Sequence, residues 1–305
     1  MMPDSHERED QGGSSIAPRA SLLVLPPLEH PPATLLDYLR HRFSHVDAGE
    51  WERRIAEGKI LLADGTPATP DTPYRAGLAV RYYREVRRER AIPFHEEIIF
   101  RNDEILIADK PHFLPVTPSG EYVNECLLFR LKRSTGIEEL SPVHRLDLET
   151  AGMVLFSLRK ETRHLYHRLF ADGTITREYL AMARLEREPE GNRWLVRNRL
   201  VAGEPWFRMR IAEGEPNAVT EIVLLERKGD RALFRLTPRT GKKHQLRIHL
   251  ASLGFPIIDD QLYPVPLPPG PYDHTRPLRL LAERLRFRDP VTGEEMEFMS
   301  GRELE

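Results

Sequence analysis

The sequence predicts an α+β protein: a mixed, largely antiparallel sheet with flanking helices, preceded by a small αβ block. Three observations predict it. Apolar and alternating segments of strand length are separated by turn dipeptides, Asn102-Asp103, Gly229-Asp230 and Thr292-Gly293, the pattern of hairpins. Helical spacing is confined to a few segments. No βαβα rhythm and no internal repeat runs through the chain, so antiparallel pairing is the expected sheet.

Residues 1–32 mix acidic, Gly and Ser residues with Pro26, Pro27, Pro31 and Pro32, the composition of a disordered tail. A small block over 33–86 follows. Leu35, Leu36 and Leu39 stand at near-helical spacing, Trp51 and Ile55 mark a second helix, and the Ile60-Leu61-Leu62 run comes next. Asp64-Gly65 is a turn, and Leu78 to Val86 reads as a strand. Arg87, Arg88 and Arg90 make a polar joint to the domain expected over 87–305. In that domain Ile98–Phe100 and Ile105–Ala108 form a hairpin, and Met153–Ser157 is an apolar strand. A helix is expected over Lys160–Ala171, with Leu165, Leu169 and Phe170 on one face. Tyr179–Ala183, Val219–Leu225 and Ala232–Leu236 read as strands. Gly241–Leu253 is helical by the spacing of Leu246, Leu250 and Leu253, with Gly254 ending it. Leu280–Phe287 and Met296–Phe298 close the domain as a hairpin.

Composition narrows the function. A chain of 305 residues with 40% hydrophobic and 30% charged residues is long enough for one small and one large domain. Its single cysteine, Cys126, leaves no disulfide framework and suits a reducing cytoplasm. No apolar run approaches the ~20 residues of a membrane span, and the acidic start does not read as a secretory signal. The net charge of −2 argues against a nucleic-acid partner. Local charge argues for one: Arg227, Lys228, Arg231, Arg235, Arg239, Lys242, Lys243 and Arg247 face Asp230 alone between 227 and 247. A solvated strand and helix would give the same run.

Pro142-Val143-His144-Arg145-Leu146-Asp147 puts a carboxylate in a polar loop just before an apolar strand, where a rigid sheet could aim it. Alone, such an Asp is as well explained as a turn or cap. The twelve histidines show no zinc spacing. No phosphate loop and no G-x-S-x-G elbow occurs.

His144-Arg145-Leu146-Asp147 with Thr150-x-Gly152 resembles the signature loop of the RluA-type RNA pseudouridine synthases. Asp109-Lys110-Pro111 with Leu114-Pro115-Val116 resembles that family's early structural motif. Arg177-Glu178-Tyr179-Leu180-Ala181 resembles its tyrosine motif, and Thr240 to His249 its late motif, continued by Phe255-Pro256-Ile257 to Tyr263. The similarity spans roughly 94–298, with four motifs in order. The 33–86 block resembles, more faintly, the RNA-binding module that often precedes this domain. Its eight Lys/Arg are matched by eight Asp/Glu.

The resemblance implies that uridine is isomerised in place within structured RNA, without cofactor or metal. Asp147 would be the attacking or stabilising carboxylate, Arg247 the partner that aims it, and Tyr179 a group that stacks on uracil or takes the final proton. The residue types leave alternatives: Tyr179 as core, Arg247 on a solvent face. Arg145 would fill the space of a flipped nucleotide. Arg239, Lys242 and Lys243 would contact phosphates, and His144 would sit at the RNA while mainly shaping the loop. Phe113 and Asp259 stand where the family has Gly; if φ > 0 is needed there, the turns must differ. Ribosomal RNA is the favoured substrate, transfer RNA the other. A cytoplasmic monomer is expected. The competing readings are a catalytically silent RNA-binding or ribosome-assembly factor and a glycoside hydrolase, which needs a second carboxylate in the site.

Overall fold

The computed structural model describes residues 15–17, 20–44, 46–86, 89–205, 207–268, 270 and 273–304. The chain divides into two compact units, Met1–Arg90 with Pro118–Asn124, and Ala91–Thr117 with Glu125–Glu305.

The first unit contains β1 (Ser15–Ile16), β2 (Ser21–Val24), α1 (Leu35–Arg42), α2 (Ala48–Ala56), β3 (Ile60–Leu62), β4 (Ala79–Tyr82) and β5 (Glu85–Val86). Both helices start at side-chain caps that satisfy otherwise open amides: Thr34 accepts from the Asp37 amide and Asp47 from the Gly49 amide. Their apolar faces bury Leu35, Leu39 and Trp51 against Ile60 and Val80 of the three-stranded sheet β2-β4-β3 and against Leu25, which follows β2. Two details differ from the sequence reading. Ser21–Val24, assigned there to the tail, is a strand whose Leu23 pairs with Val80; residues 1–14 lie outside the described residues. The strand expected over 78–86 divides because β4 pairs β2 and β3 while β5 pairs β1. Arg87 and Arg88 lie outside the described residues.

The second unit contains β6 (Glu97–Arg101), β7 (Ile105–Lys110), α3 (Leu127–Thr135), β8 (Ser141–Pro142), β9 (Ala151–Ser157), α4 (Arg163–Ala171), β10 (Thr176–Arg184), β11 (Arg193–Ala202), β12 (Met209–Ala212), β13 (Ala218–Lys228), β14 (Arg231–Pro238), α5 (Gln245–Ser252), β15 (Leu280–Arg288) and β16 (Glu295–Met299). Among the described residues the strands form one eleven-stranded sheet, β12-β11-β13-β14-β10-β15-β9-β7-β6, with β16 on β15 and β8 on β9. Pairing is antiparallel except between β9 and β15. This is the mixed, largely antiparallel α+β architecture that the turn pattern predicts.

Alternation places Tyr179, Ala181, Ala183, Ile222, Ala232, Phe234 and Leu236 on one sheet face, buried under Leu246 and Leu250 of α5 and under Phe255. The outward arginines of β11 leave Trp194 inward, against Phe234 and Phe255. β11, β12 and α3 had no place in the sequence reading. α5 begins four residues later than the spacing implies, because the segment before it is held as a turn. His244 takes φ 55°, and the Gln245 side chain accepts from the Thr240 hydroxyl and the Lys242 amide. Gly254, at φ 78°, ends the helix as expected.

Phe113 and Asp259 correct an expectation. Both keep the left-handed backbone, φ 65° and φ 61°, so the turns are those a glycine would make. Tertiary contacts offset the Cβ strain. The buried Phe113 ring packs on Phe94 and His274, and Asp259 receives Arg276.

Candidate active site

The loop between β8 and β9 carries Asp147, and its backbone is tied down at both ends. Val143 donates its amide to the Leu155 carbonyl. His144 accepts the Leu155 amide at Nε2, 3.1 Å away, and stacks on Phe170 with ring centroids 4.6 Å apart. Burial, helped by Arg177, lowers the His144 pKa to about 3, so the ring is neutral. The stack and the bond to Leu155 hold it against the loop and β9, where it is half-buried. The Leu148 carbonyl accepts from the fully buried Lys110 ammonium, which also donates to the Pro111 and Leu114 carbonyls. His112 donates to the Glu149 carbonyl at 2.6 Å. Burial lowers Lys110 to about 7, against the pull of Glu149 and Asp147.

Gly152 closes the loop. At φ 111°, the position of its Cβ in any other residue would lie 2.3 Å from the Ala282 carbonyl oxygen. No side chain fits where β9 runs parallel to β15. The same strand places Tyr179. The β10–β15 register shifts between Glu178 and Tyr179, a bulge of the kind that re-aims a side chain beside a site. Tyr179 is 8% exposed. Burial raises its phenol pKa, with Arg177 pulling down and Asp147 pushing up.

Arg247, on α5, is 1% exposed, which removes the reading of it as a solvent-face residue. Nε and Nη2 donate to the two carboxylate oxygens of Asp260, at 2.8 and 2.6 Å. That fork leaves Nη1 toward the loop, 3.4 Å from Glu149 and 3.7 Å from Asp147. Burial works against the Arg247 charge, but Asp260, Glu149 and Asp147 together raise its pKa. Tyr263 lies over the guanidinium, 5.5 Å away, and shares a hydrogen bond with His244. Asp260 in turn accepts the Leu262 and Tyr263 amides, which fixes its orientation. Asp147, 29% exposed at its side chain, is therefore the accessible carboxylate of the group, and Asp260 the sealed one.

The structure thus brings Asp147, Tyr179 and Arg247 together. Arg145 is exposed at the loop's outer side, as are Lys242 and Lys243 before α5. Arg239 is exposed and faces Glu221 at 4.0 Å. The basic run from 227 to 247 does not act as one field: Arg227 is forked to Glu188, Arg235 faces Glu178, and Arg247 is buried. Sequence reasoning missed Glu149, Asp260 and His112. Asp260 lies thirteen residues beyond Arg247 in an irregular segment, where no period signals a pairing.

Residues 104–252 match the family model described as RNA pseudouridylate synthase. An uncharacterised RNA pseudouridine synthase of Synechocystis is 30% identical over 75% of this chain and 79% of its own. The ribosomal large subunit pseudouridine synthase D of Vibrio vulnificus is 30% identical, covering 84% and 82% of the two chains. The dual-specificity RNA pseudouridine synthase RluA of Pasteurella multocida is 32% identical over 66% of this chain and 91% of that one. Among solved structures, human RNA pseudouridylate synthase domain containing 4 superposes with a TM-score of 0.53 at 25% identity, covering 66% of this chain and 87% of that one.

Proposed function

Because the chain belongs to the RNA pseudouridine synthases of the RluA and RluD type, we propose that it converts uridine to pseudouridine at specific sites of ribosomal RNA, with Asp147 as the catalytic carboxylate. The observation that carries this reading is the asymmetry among the three acidic groups on Arg247. Asp260 takes the guanidinium fork and is sealed, while Asp147 is partly open and only loosely paired. A carboxylate that is aimed, yet not consumed by a tight pair, can attack or support a ribose carbon that develops positive charge.

The reaction is an isomerisation. The bond from ribose C1′ to base N1 breaks, the base turns, C1′ bonds to C5, and the C5 proton leaves as N1 gains one. No group donor or electron carrier enters that balance. Tyr179 serves best as a stacking surface for the base: a phenol held above its ordinary pKa by burial is a weak base at neutral pH. Arg145, exposed beside Asp147, fills the stack left by the extracted nucleotide. Arg239, Lys242 and Lys243 supply phosphate contacts. The second carboxylates that a glycoside hydrolase needs are present, but both are paired with the Arg247 guanidinium, and Asp260 is sealed.

Ribosomal RNA is favoured because the Vibrio relative named for the large ribosomal subunit aligns over 84% of this chain, against 66% for the dual-specificity relative. Residues 87–305 form the catalytic domain of a cytoplasmic monomer, and the 33–86 module adds RNA contact. Among the described residues no helix is long and apolar enough to cross a membrane.

The test is tritium release from RNA labelled at uridine C5, using ribosomal and transfer pools from cells lacking the gene. Wild type is expected to release tritium from the ribosomal pool, and Asp147→Asn from neither. Well-folded wild type that binds ribosomal RNA but releases none points to a silent RNA-binding factor instead. Release by Asp147→Asn removes the carboxylate from its role.

A further inference from the structure

Three cations stand side by side on adjacent strands of the second unit. Lys228 pairs with Arg231 across β13 and β14, and Arg231 pairs with Arg184 across β14 and β10. All three are exposed. None has a carboxylate within ion-pair distance among the described residues, whereas the neighbouring Arg227 is forked to Glu188. Like charges directly opposite in an antiparallel sheet cost stability. A row of three with no counter-charge of its own is a surface that an anion would complete.

Two members of that row open into a cavity. Arg184 and Arg231 line a space of about 470 Å³ whose other wall carries Arg276 and Arg279. Its acidic lining is largely spent. Asp259 is bound by Arg276 at 2.7 Å and faces Arg279, and Asp260 is held by Arg247 at 2.6 Å. Glu186 is the remaining acidic residue on the wall. Two unpaired guanidinium groups at the rim of a recess suit a tetrahedral oxyanion, which each can grip through two parallel N–H bonds. The recess shares Asp260 with the active site, whose Tyr179 lies five residues back from Arg184 along β10, so an anion bound there sits beyond the target nucleotide along the strand.

We propose that this recess is a phosphate subsite for the substrate RNA, taking a backbone phosphodiester beyond the target uridine, with Arg184 and Arg231 as its ligands and Lys228 extending the track. The assignment rests on the proposed RNA substrate and adds where the strand runs past the site: toward the corner where β10 meets Pro256–Ile258. It is a contact that positions the strand and carries no base identity.

The test compares wild type, Arg184→Gln/Arg231→Gln and the control Arg227→Gln. Binding to a ribosomal RNA fragment is followed by fluorescence anisotropy over a salt series, with tritium release in parallel. Loss of the contact to that one phosphate should flatten the slope of log K against log salt by roughly 0.7 to 0.9. It should raise KM on the order of tenfold at physiological salt and leave kcat at saturating RNA within about twofold. Arg227→Gln, which removes a cation already paired, should leave slope and KM as in wild type. The double variant should melt no lower than wild type, because it loses a like-charge pair. An unchanged slope and KM in the double variant overturns the subsite, as does an equal effect of Arg227→Gln. Wild type that binds RNA with the expected slope difference but releases no tritium upholds the subsite and sinks the isomerase reading. Wild type without RNA affinity sinks both.

Discussion

Replacing Asp260 by Asn removes one charge from behind the Asp147 loop while keeping its volume. The Asn side-chain oxygen can still accept the Leu262 and Tyr263 amides. Its NH₂ group then meets Arg247 Nε, donor against donor, in place of a 2.8 Å charge-assisted bond. Breaking a buried ion pair from one side costs about 3–5 kcal/mol. Glu149 and Asp147 still face Nη1 at 3.4 and 3.7 Å, so the lower end, about 3 kcal/mol, applies. At about 2–4 °C per kcal/mol for a unit of this size, the melting point should fall by roughly 6–12 °C. The freed guanidinium swings toward Asp147 and pairs with it more tightly, and a displacement of about 1 Å there is worth roughly a hundredfold in kcat. Calorimetry and tritium release at a temperature where the variant is folded measure the two effects. Asp260→Leu/Arg247→Met separates them: an apolar pair should recover melting temperature and leave turnover lost. An Asp260→Asn protein that melts within about 1 °C of wild type, or turns over normally, refutes the account of Arg247 as a group aimed from behind.

Gly152→Ala forces a Cβ to 2.3 Å from the Ala282 carbonyl and should cost about 2–4 kcal/mol by separating β9 from β15; a melting point like wild type would show that the strands yield freely. Phe113→Gly and Asp259→Gly both restore the residue that a left-handed backbone prefers, yet should differ. The first loses a buried ring stacked on Phe94 and His274 and should cost about 2–3 kcal/mol net. The second loses a pair with the mostly exposed Arg276 and should stay within about 1 kcal/mol; equal urea midpoints would refute the distinction. Burial holds His112, His144, His244 and His249 at about 4, 3, 3 and 4, below the unfolded value near 6.5. Between those values the unfolded chain binds protons that the folded chain refuses, so stability is full above about pH 6.5 and falls as pH drops toward 4. Each histidine contributes at most about 1.4 kcal/mol per pH unit. Urea midpoints at pH 7 and 5 should show the loss, with a smaller one in His144→Gln; a flat profile for wild type sinks the claim.

Strand period and turn chemistry are local properties, which is why β6, β7, β9, β10, β13, β14, β15 and β16 could be read from residues. The helix start before α5 could not. Its turn is held by Gln245 reaching back to Thr240 and Lys242, an interaction that spacing does not encode. The Gly-to-Phe change at 113 misled for a related reason. A propensity rule weighs the backbone alone, and the Phe94 and His274 rings that offset the strain are distant in sequence.

The site divides along the same line. The proposed set of Asp147, Tyr179 and Arg247 was named from motifs, but the motifs are silent on how the three are held. Arg247 could not aim Asp147 if its whole fork were spent on the loop, because a bidentate pair would bury the reacting carboxylate behind its own partner. Asp260 prevents this by taking Nε and Nη2 and leaving one amino group for the loop. The loop is held independently by Lys110 and His112 through main-chain carbonyls, so its position does not depend on the charge pair. A reactive carboxylate that is both fixed and underpaired therefore requires two separate supports, one for the backbone and one for the guanidinium. Lys110 came with a motif that does not say what it holds, and Asp260 lies in an irregular segment with no period; folding alone brings Lys110 to 3.2 Å from the Leu148 carbonyl and Asp260 to 2.6 Å from Arg247.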